Sequence, residues 1–380
     1  MGFISEISLQ NFRNYSSLKL SFKAGLNVFL GENGHGKTNL LEAVYFLSLL
    51  RSFRCKNIQN LKQWKNDSFA LNCILNHEES LPDRLHIDYG EKRSLKINGN
   101  AISRSSEFIR RVNAVSFTPE DIELVKGSAG NRRQYLDILL SQLSPAYLNC
   151  LQNYNKALKA RNKLLRQVSE SEVYDSALIK TYDGLLIEHG SNLTMARSQI
   201  LTRLEDKIRH FNSSMFPEGK KMKVVYSSTV TRKIESEEAV RAAFERKLSE
   251  NFEKDITRSV THSGPHRDDL LILLNGKSLS SFGSEGQCRL ASLVMKMSAA
   301  EQLIEDKNTD NVILLIDDVL GELDNQRKSA FLETIMRGDQ IFIACTEVPG
   351  FCQSREHSVY HIKNGEVTSE EQAPQNRHQT

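Results

Sequence analysis

One eight-residue stretch constrains the fold more than any other. Gly31-Glu32-Asn33-Gly34-His35-Gly36-Lys37-Thr38 fits the pattern G-x-x-x-x-G-K-[ST]. A loop of this kind wraps an anion closely, and glycines let backbone N–H groups point inward with no Cβ in the way. Lys37 sets a positive charge on the outer phosphates of a nucleotide, and Thr38 offers a hydroxyl to Mg²⁺. Gly25 to Leu30, just before the loop, is a short apolar run that predicts a buried strand. Thr38 to Leu50, just after it, carries Leu40, Leu41, Val44, Leu47 and Leu50 at helical spacing. The helix so placed aims its N-terminal dipole at the anion. A plain glycine-rich turn before a helix is the bland alternative. Average residue usage gives the full pattern by chance in about one chain in a hundred of this length, and the strand-loop-helix context makes chance rarer.

Two later stretches fit the same chemistry. Val312 to Ile316 is an apolar strand running into Asp317-Asp318, 280 residues beyond Lys37. Asp317 is expected to hold Mg²⁺, and Asp318 to polarise an attacking water as the catalytic base, with Lys37 the other catalytic group. Strands often end in Asp at a turn, so the pair gains its weight from the loop. Gly283-Ser284-Glu285-Gly286-Gln287 precedes a second helix, and Gly321-Glu322-Leu323-Asp324 follows the acidic pair. Ser284 and Gln287 also fit an ordinary capping box, which is compatible with a site, because capping orients the N–H groups. These two stretches resemble the signature motif and the D-loop of ABC-type ATPases. The resemblance implies a pair of heads in which Ser284 and Gly286 of one cap the γ-phosphate held by the other's loop. Gln287 and Asp324 join the implied cofactor-binding set.

Four further stretches narrow the family. They are Leu9-Gln10-Asn11-Phe12-Arg13-Asn14-Tyr15, Phe117 to Asp121 with Lys126-Gly127-Ser128 and Arg132-Arg133, Ser263-Gly264-Pro265-His266-Arg267-Asp268-Asp269-Leu270, and Leu315 to Asp324. In this order they resemble the RecF family of ABC-type, SMC-like ATPases. The resemblance implies ATP and Mg²⁺ as cofactors, ATP-dependent homodimers, and slow ATP hydrolysis stimulated by DNA. It implies binding to single-stranded, duplex and gapped DNA, and work with RecR and RecO proteins to load RecA. Recombinational gap repair, replication restart and SOS induction are the implied processes. Departures from the class pattern are Asp318 where many ABC-type ATPases have Glu, Thr346 where a switch His would stand, and Gly130 in place of a common Pro. Thr118 to Asp121 is the expected place of the Q-loop.

The remaining sequence frames an α/β class, an ABC-type P-loop ATPase head of mixed sheets and flanking helices with an inserted, mostly helical lobe. Residues 1–122 and 259–365 carry strand patterns, 123–258 are mainly helical, and the polar segment 366–380 is expected to be disordered. Six scattered cysteines with no CxxC pair suit reduced thiols in the cytoplasm. No apolar run approaches the ~20 residues that span a bilayer, so no membrane role is expected.

The net charge of +3 says little. Divided, it becomes +7 over residues 126–260 and −4 elsewhere. Ile138 to Ser169 holds Lys156, Lys159, Arg161, Lys163 and Arg166 and no acid, a candidate DNA-binding face. A solvated basic helix face is the commoner explanation of such a run. Competing classes fit less well. An SMC-type structural ATPase needs long coiled-coil arms, and no sustained heptad is present. A transporter subunit would place its motifs within roughly 150 residues, and a P-loop kinase has neither signature nor D-loop.

Overall fold

The computed structural model describes residues 2–78, 80–109, 111–171, 176–307, 309 and 311–373. The chain divides into two compact units, residues 1–121 with 295–380 and residues 122–294.

The first unit contains two six-stranded sheets. One is antiparallel and is built from β1 (Phe3–Phe12), β2 (Tyr15–Ser21), β4 (Phe69–Asn76), β5 (Asp83–Tyr89), β6 (Arg93–Ile97) and β7 (Asn100–Ala101), in the order β2-β1-β4-β5-β6-β7. Its strands alternate: β4 buries Phe69, Leu71, Cys73 and Leu75 and leaves the residues between them partly open. One face therefore packs on a core. The other sheet uses β3 (Gly25–Leu30), β8 (Asn113–Phe117), β12 (Val312–Asp317), β13 (Gln340–Cys345), β14 (His357–Lys363) and β15 (Glu366–Ala373). Its order is β15-β14-β3-β13-β12-β8, parallel except for the last hairpin. Here every residue of β8 and β12 is buried, the continuous apolar pattern of a sheet covered on both faces.

Two devices join these sheets. Phe22, Phe29, Phe342 and Tyr360 form an aromatic cluster with ring centroids 4.9–6.0 Å apart, each pair adding about 0.5–1.5 kcal/mol beyond its buried area. The buried Gln340 amide donates to the carbonyls of Ile4 (3.0 Å) and Lys23 (2.9 Å) and accepts from the Ile4 N–H (2.9 Å). A buried amide with its groups paired fixes register as well as adding stability.

The second unit is mostly helical. Helices Ala129–Leu143, Pro145–Ser171, Ser176–Met215 and Glu237–Glu250 accompany a small antiparallel sheet of β9 (Met222–Ser227), β10 (Asp269–Leu274) and β11 (Lys277–Ser278). The lobe expected over 123–258 thus belongs to a compact unit that runs on to residue 294. The reason is pairing: β10 follows residue 258 yet hydrogen-bonds along β9. The expectation of disorder from residue 366 also fails over 366–373. Those residues pair with β14 through their backbone, which polar side chains do not prevent. Residues 374–380 lie outside the described residues.

Candidate nucleotide site

Three parallel strands bring the site together. β3 ends at the glycine loop, β12 ends at Asp317, and β8 leads into Thr118 to Asp121. All three are carboxyl ends of one parallel sheet, where open α/β sheets bind ligands. The loop then feeds the helix Lys37–Leu49.

The loop glycines are there for space and for dihedral angle. A Cβ on Gly31 would stand 2.3 Å from the Ile362 carbonyl oxygen of β14. Gly36 combines φ +114° with a would-be Cβ 2.7 Å from the Asn14 side chain. Gly34 also takes positive φ, at +85°. The Lys37 side chain is buried, its residue only 4% exposed, and its Nζ donates to the carbonyls of Gly31 (2.7 Å) and Glu32 (2.9 Å). Gly36 caps the helix without a side-chain hydrogen bond, and the first turn holds no acid. The N-terminal N–H groups and the dipole therefore face outward as an anion site. Glu32, Asn33 and Gly34 are exposed at the loop tip.

Thr38 Oγ1 donates to Asp317 Oδ1 at 3.0 Å, so residues 279 apart in sequence share one spot. Burial pushes the Asp317 carboxyl up to about 6, with Asp318 and Glu120 adding to the rise and the Thr38 hydroxyl and Arg54 opposing it. A hydroxyl beside a buried carboxylate, within a surplus of negative charge, is a donor set that suits a divalent cation. Among the described residues no cluster of three His, Cys, Asp or Glu could hold a metal alone. Mg²⁺ commonly takes one or two protein ligands and completes its shell with phosphates and water. Asp318 is exposed and left-handed at φ 52°. That conformation costs of order 1 kcal/mol and turns the side chain away from the strand direction.

Sequence reasoning named no role for the residues that brace the loop. Tyr15 donates to the Gly36 carbonyl (3.0 Å), and Asn14 donates to that of His35 (3.3 Å). Asn39 donates to Asn14 Oδ1 (2.7 Å) and accepts from Arg54 (2.9 Å). From the other side the β14–β15 turn reaches in. The Asn364 N–H donates to His35 Nδ1 (3.1 Å), and the Gly365 N–H donates to the His35 carbonyl (2.9 Å). The Asn-Gly pair at 364–365 was a legible hairpin signal. Below the site, Arg13 forks onto the buried Glu42 with two bonds of 2.7 Å.

The expected site also includes Ser284, Gly286, Gln287 and Asp324. Ser284, Gly286 and Gln287 belong to the second unit, at the start of the helix Glu285–Glu305. The capping box is formed: Ser284 Oγ accepts from the Gln287 N–H (3.3 Å), and Gln287 Oε1 accepts from the Ser284 N–H (3.1 Å). Gly286 is exposed with open space at its Cβ position, and Phe282 just before is 76% exposed. Asp324 accepts from the Arg327 N–H (2.9 Å) as the cap of the helix Asn325–Ile335. In the Q-loop region, Asp121 pairs with Lys296 at 2.8 Å and accepts from the Thr118 N–H.

The candidate DNA face needs a correction. Lys156, Lys159, Lys163 and Arg166 are exposed, but Arg161 is 0% exposed. Its guanidinium donates to Asp183 (2.6 Å), Asp255 (2.7 Å) and Thr261 (2.8 Å). It neutralises buried acids and has no surface to offer a phosphate.

With this geometry in place, the likeness to known proteins is direct. The family model described as RecF/RecN/SMC N terminal domain matches residues 3–368. A DNA replication and repair protein RecF from Oceanobacillus iheyensis is 36% identical over 349 residues, 91% of this chain and 94% of that one. Its counterpart from Streptococcus thermophilus is 36% identical over 368 residues, 96% and 98% of the two chains. The chain belongs to the RecF family. The fold agrees: a solved structure described as the recombination mediator protein RecF-ATP in the RecFOR pathway has TM-score 0.88 at 30% identity, covering 98% of both chains. The Smc head domain of Pyrococcus furiosus, at 15% identity and TM-score 0.56 over 98% of this chain and 97% of its own, shares the fold alone. The ABC-type head with a helical insertion is thus the architecture of this RecF-family chain. Among its described residues, no helix is long and apolar enough to cross a membrane.

Proposed function

We propose that this chain is an ATP-driven switch of DNA repair. It binds ATP with Mg²⁺, pairs with a second copy, and in that state holds DNA at gaps and junctions of single and double strands. The observation that carries the reading is the meeting of the Gly31–Thr38 loop with Asp317, supported by relatives described as DNA replication and repair proteins and a solved relative with ATP. Lys37 and the N–H groups of the loop bind and orient the phosphates. Thr38 and Asp317 hold the cation, which when bound neutralises charge on the phosphates. Asp318 takes a proton from the attacking water, and its short side chain on an exposed turn suits slow hydrolysis. The Ser284 helix start presents N–H groups to the second copy's nucleotide, and the exposed Phe282 suits a face covered by that copy.

Partners by family are RecR and RecO, and the cytoplasmic processes are RecA loading on gapped DNA, replication restart and SOS induction. Nothing among the motifs resembles a base-reading element, so recognition is of structure more than sequence. The test is binding of gapped and blunt duplexes, with and without ATP, at two salt concentrations. Tighter binding to the gapped duplex with ATP is expected. Equal affinities in all arms would remove the switch.

A further inference from the structure

The segment between the phosphate-loop helix and β4 is basic. Residues 51–66 hold Arg51, Arg54, Lys56, Lys62 and Lys65 and no Asp or Glu. Arg51, Arg54, Lys56 and Lys65 are exposed. Among the described residues none of the five enters an ion pair. Between the last two lysines stands Trp64, the single tryptophan of the chain, 86% exposed.

The local backbone holds that ring outward. Gln63 to Asn66 form a tight turn closed by Asn66 N–H to the Gln63 carbonyl (3.1 Å), with Lys65 left-handed at φ 70°. The turn is tied to the β1–β2 hairpin. The Gln63 N–H donates to the Asn11 carbonyl (2.8 Å), Gln63 Nε2 donates to Ser16 (2.9 Å), and Lys62 bridges Phe12. The ring thus stands in water at the tip of an anchored turn, open to a planar partner.

We infer that Trp64 and its flanking lysines are a stacking platform for single-stranded nucleic acid. Every base has a face that stacks on an indole, and exposed cations beside the ring follow the phosphates. A purely apolar partner would leave the five charges unmatched, and a duplex hides its base faces from the ring. The inference rests on the proposed DNA binding and gives it an address on the first unit, distinct from the Lys156–Arg166 helix.

Because Trp64 is the only tryptophan, indole emission of the unmodified chain reports on this turn alone. The experiment titrates the full chain with dye-labelled oligo-dT and records dye anisotropy beside indole emission. Binding with quenched emission is expected. Trp64→Ala should weaken oligo-dT binding about tenfold. Lys56→Gln with Lys62→Gln and Lys65→Gln should make the salt slope shallower by about two. Anisotropy that reports binding while emission stays constant would overturn the platform and leave the proposed function intact. No anisotropy change with any DNA would overturn that function itself. Quenching by ATP alone, by an acidic peptide or by raising protein concentration, with none by oligo-dT, would reassign Trp64 and sink the inference.

Discussion

Lys37 is held ready by two loop carbonyls and is nearly sealed from water. On the proposed function, the ammonium trades these carbonyls for phosphate oxygens when a nucleotide enters. Lys37→Met keeps the length and loses the charge, so ATP affinity should fall at least a hundredfold and ATP-dependent dimerisation with it, as read by calorimetry and light scattering. His266 shows the opposite use of burial. Its Nδ1 shares a hydrogen bond with the Tyr154 hydroxyl (2.7 Å) and its Nε2–H donates to the Thr261 carbonyl (2.9 Å). Burial pushes it down to about 4 from 6.5. The unfolded chain therefore binds the extra proton between those values, and stability present above pH 6.5 is lost as pH falls toward 4. By pH 5 the loss should be about 2 kcal/mol, measured by denaturant melts, and His266→Gln should lack that slope. Arg161 carries a lesson about legibility. Lys156, Lys159, Lys163 and Arg166 recur at three and four residues and share a face, whereas Arg161 falls on the other side of the same helix. Counting charges hid what the period would have revealed. Its partners Asp183 and Asp255 are 22 and 94 residues away and could not be found from sequence.

Among elements, hairpins gave the sharpest contrast. Asn98-Gly99 and Asn275-Gly276 were readable as turns, and all their residues take positive φ. Asn364-Gly365 is the same device, with φ 53° and 78°. Its strand β15 is polar and sits at a sheet edge, where charged side chains are the usual protection. Yet this turn is the one that braces the phosphate loop. A Cβ at Gly365 would meet the Asn14 carbonyl oxygen at 2.7 Å. Gly365→Ala should cost about 1–3 kcal/mol of stability and weaken ATP binding several-fold, seen together in thermal melts with and without ATP. The helix Glu285–Glu305 is testable separately. Ser284→Arg should still bind ATP as a monomer yet fail to dimerise. Dimers of that variant by light scattering would remove the cross-capping role of Ser284.

For the whole molecule, charge is divided along the compact units. Residues 122–294 carry 26 basic and 20 acidic side chains, net +6, against 24 and 27, net −3, in the rest. The sign agrees with the division read from the sequence, and its size changes little although the far boundary moved by 34 residues, from 260 to 294. If the Pro145–Ser171 helix lies along DNA, Lys156→Glu with Lys159→Glu and Lys163→Glu should lower duplex affinity at least tenfold and flatten its salt dependence. Unchanged affinity and slope would place the duplex elsewhere.

The order of the parallel sheet also bears on how the chain is made. β3, which delivers the phosphate loop, hydrogen-bonds on one side to β13 and on the other to β14. Both neighbours are synthesised more than 300 residues later. On the ribosome the loop thus waits for more than 300 further residues with its strand unpaired on both edges. Pairing at such separation is slow, and an open apolar strand meanwhile invites other chains. A fragment released before residue 357 has only one flank for β3 and lacks the hairpin that braces His35. On the proposed function, ATP binding therefore waits on the residues through Gly365 that brace the loop.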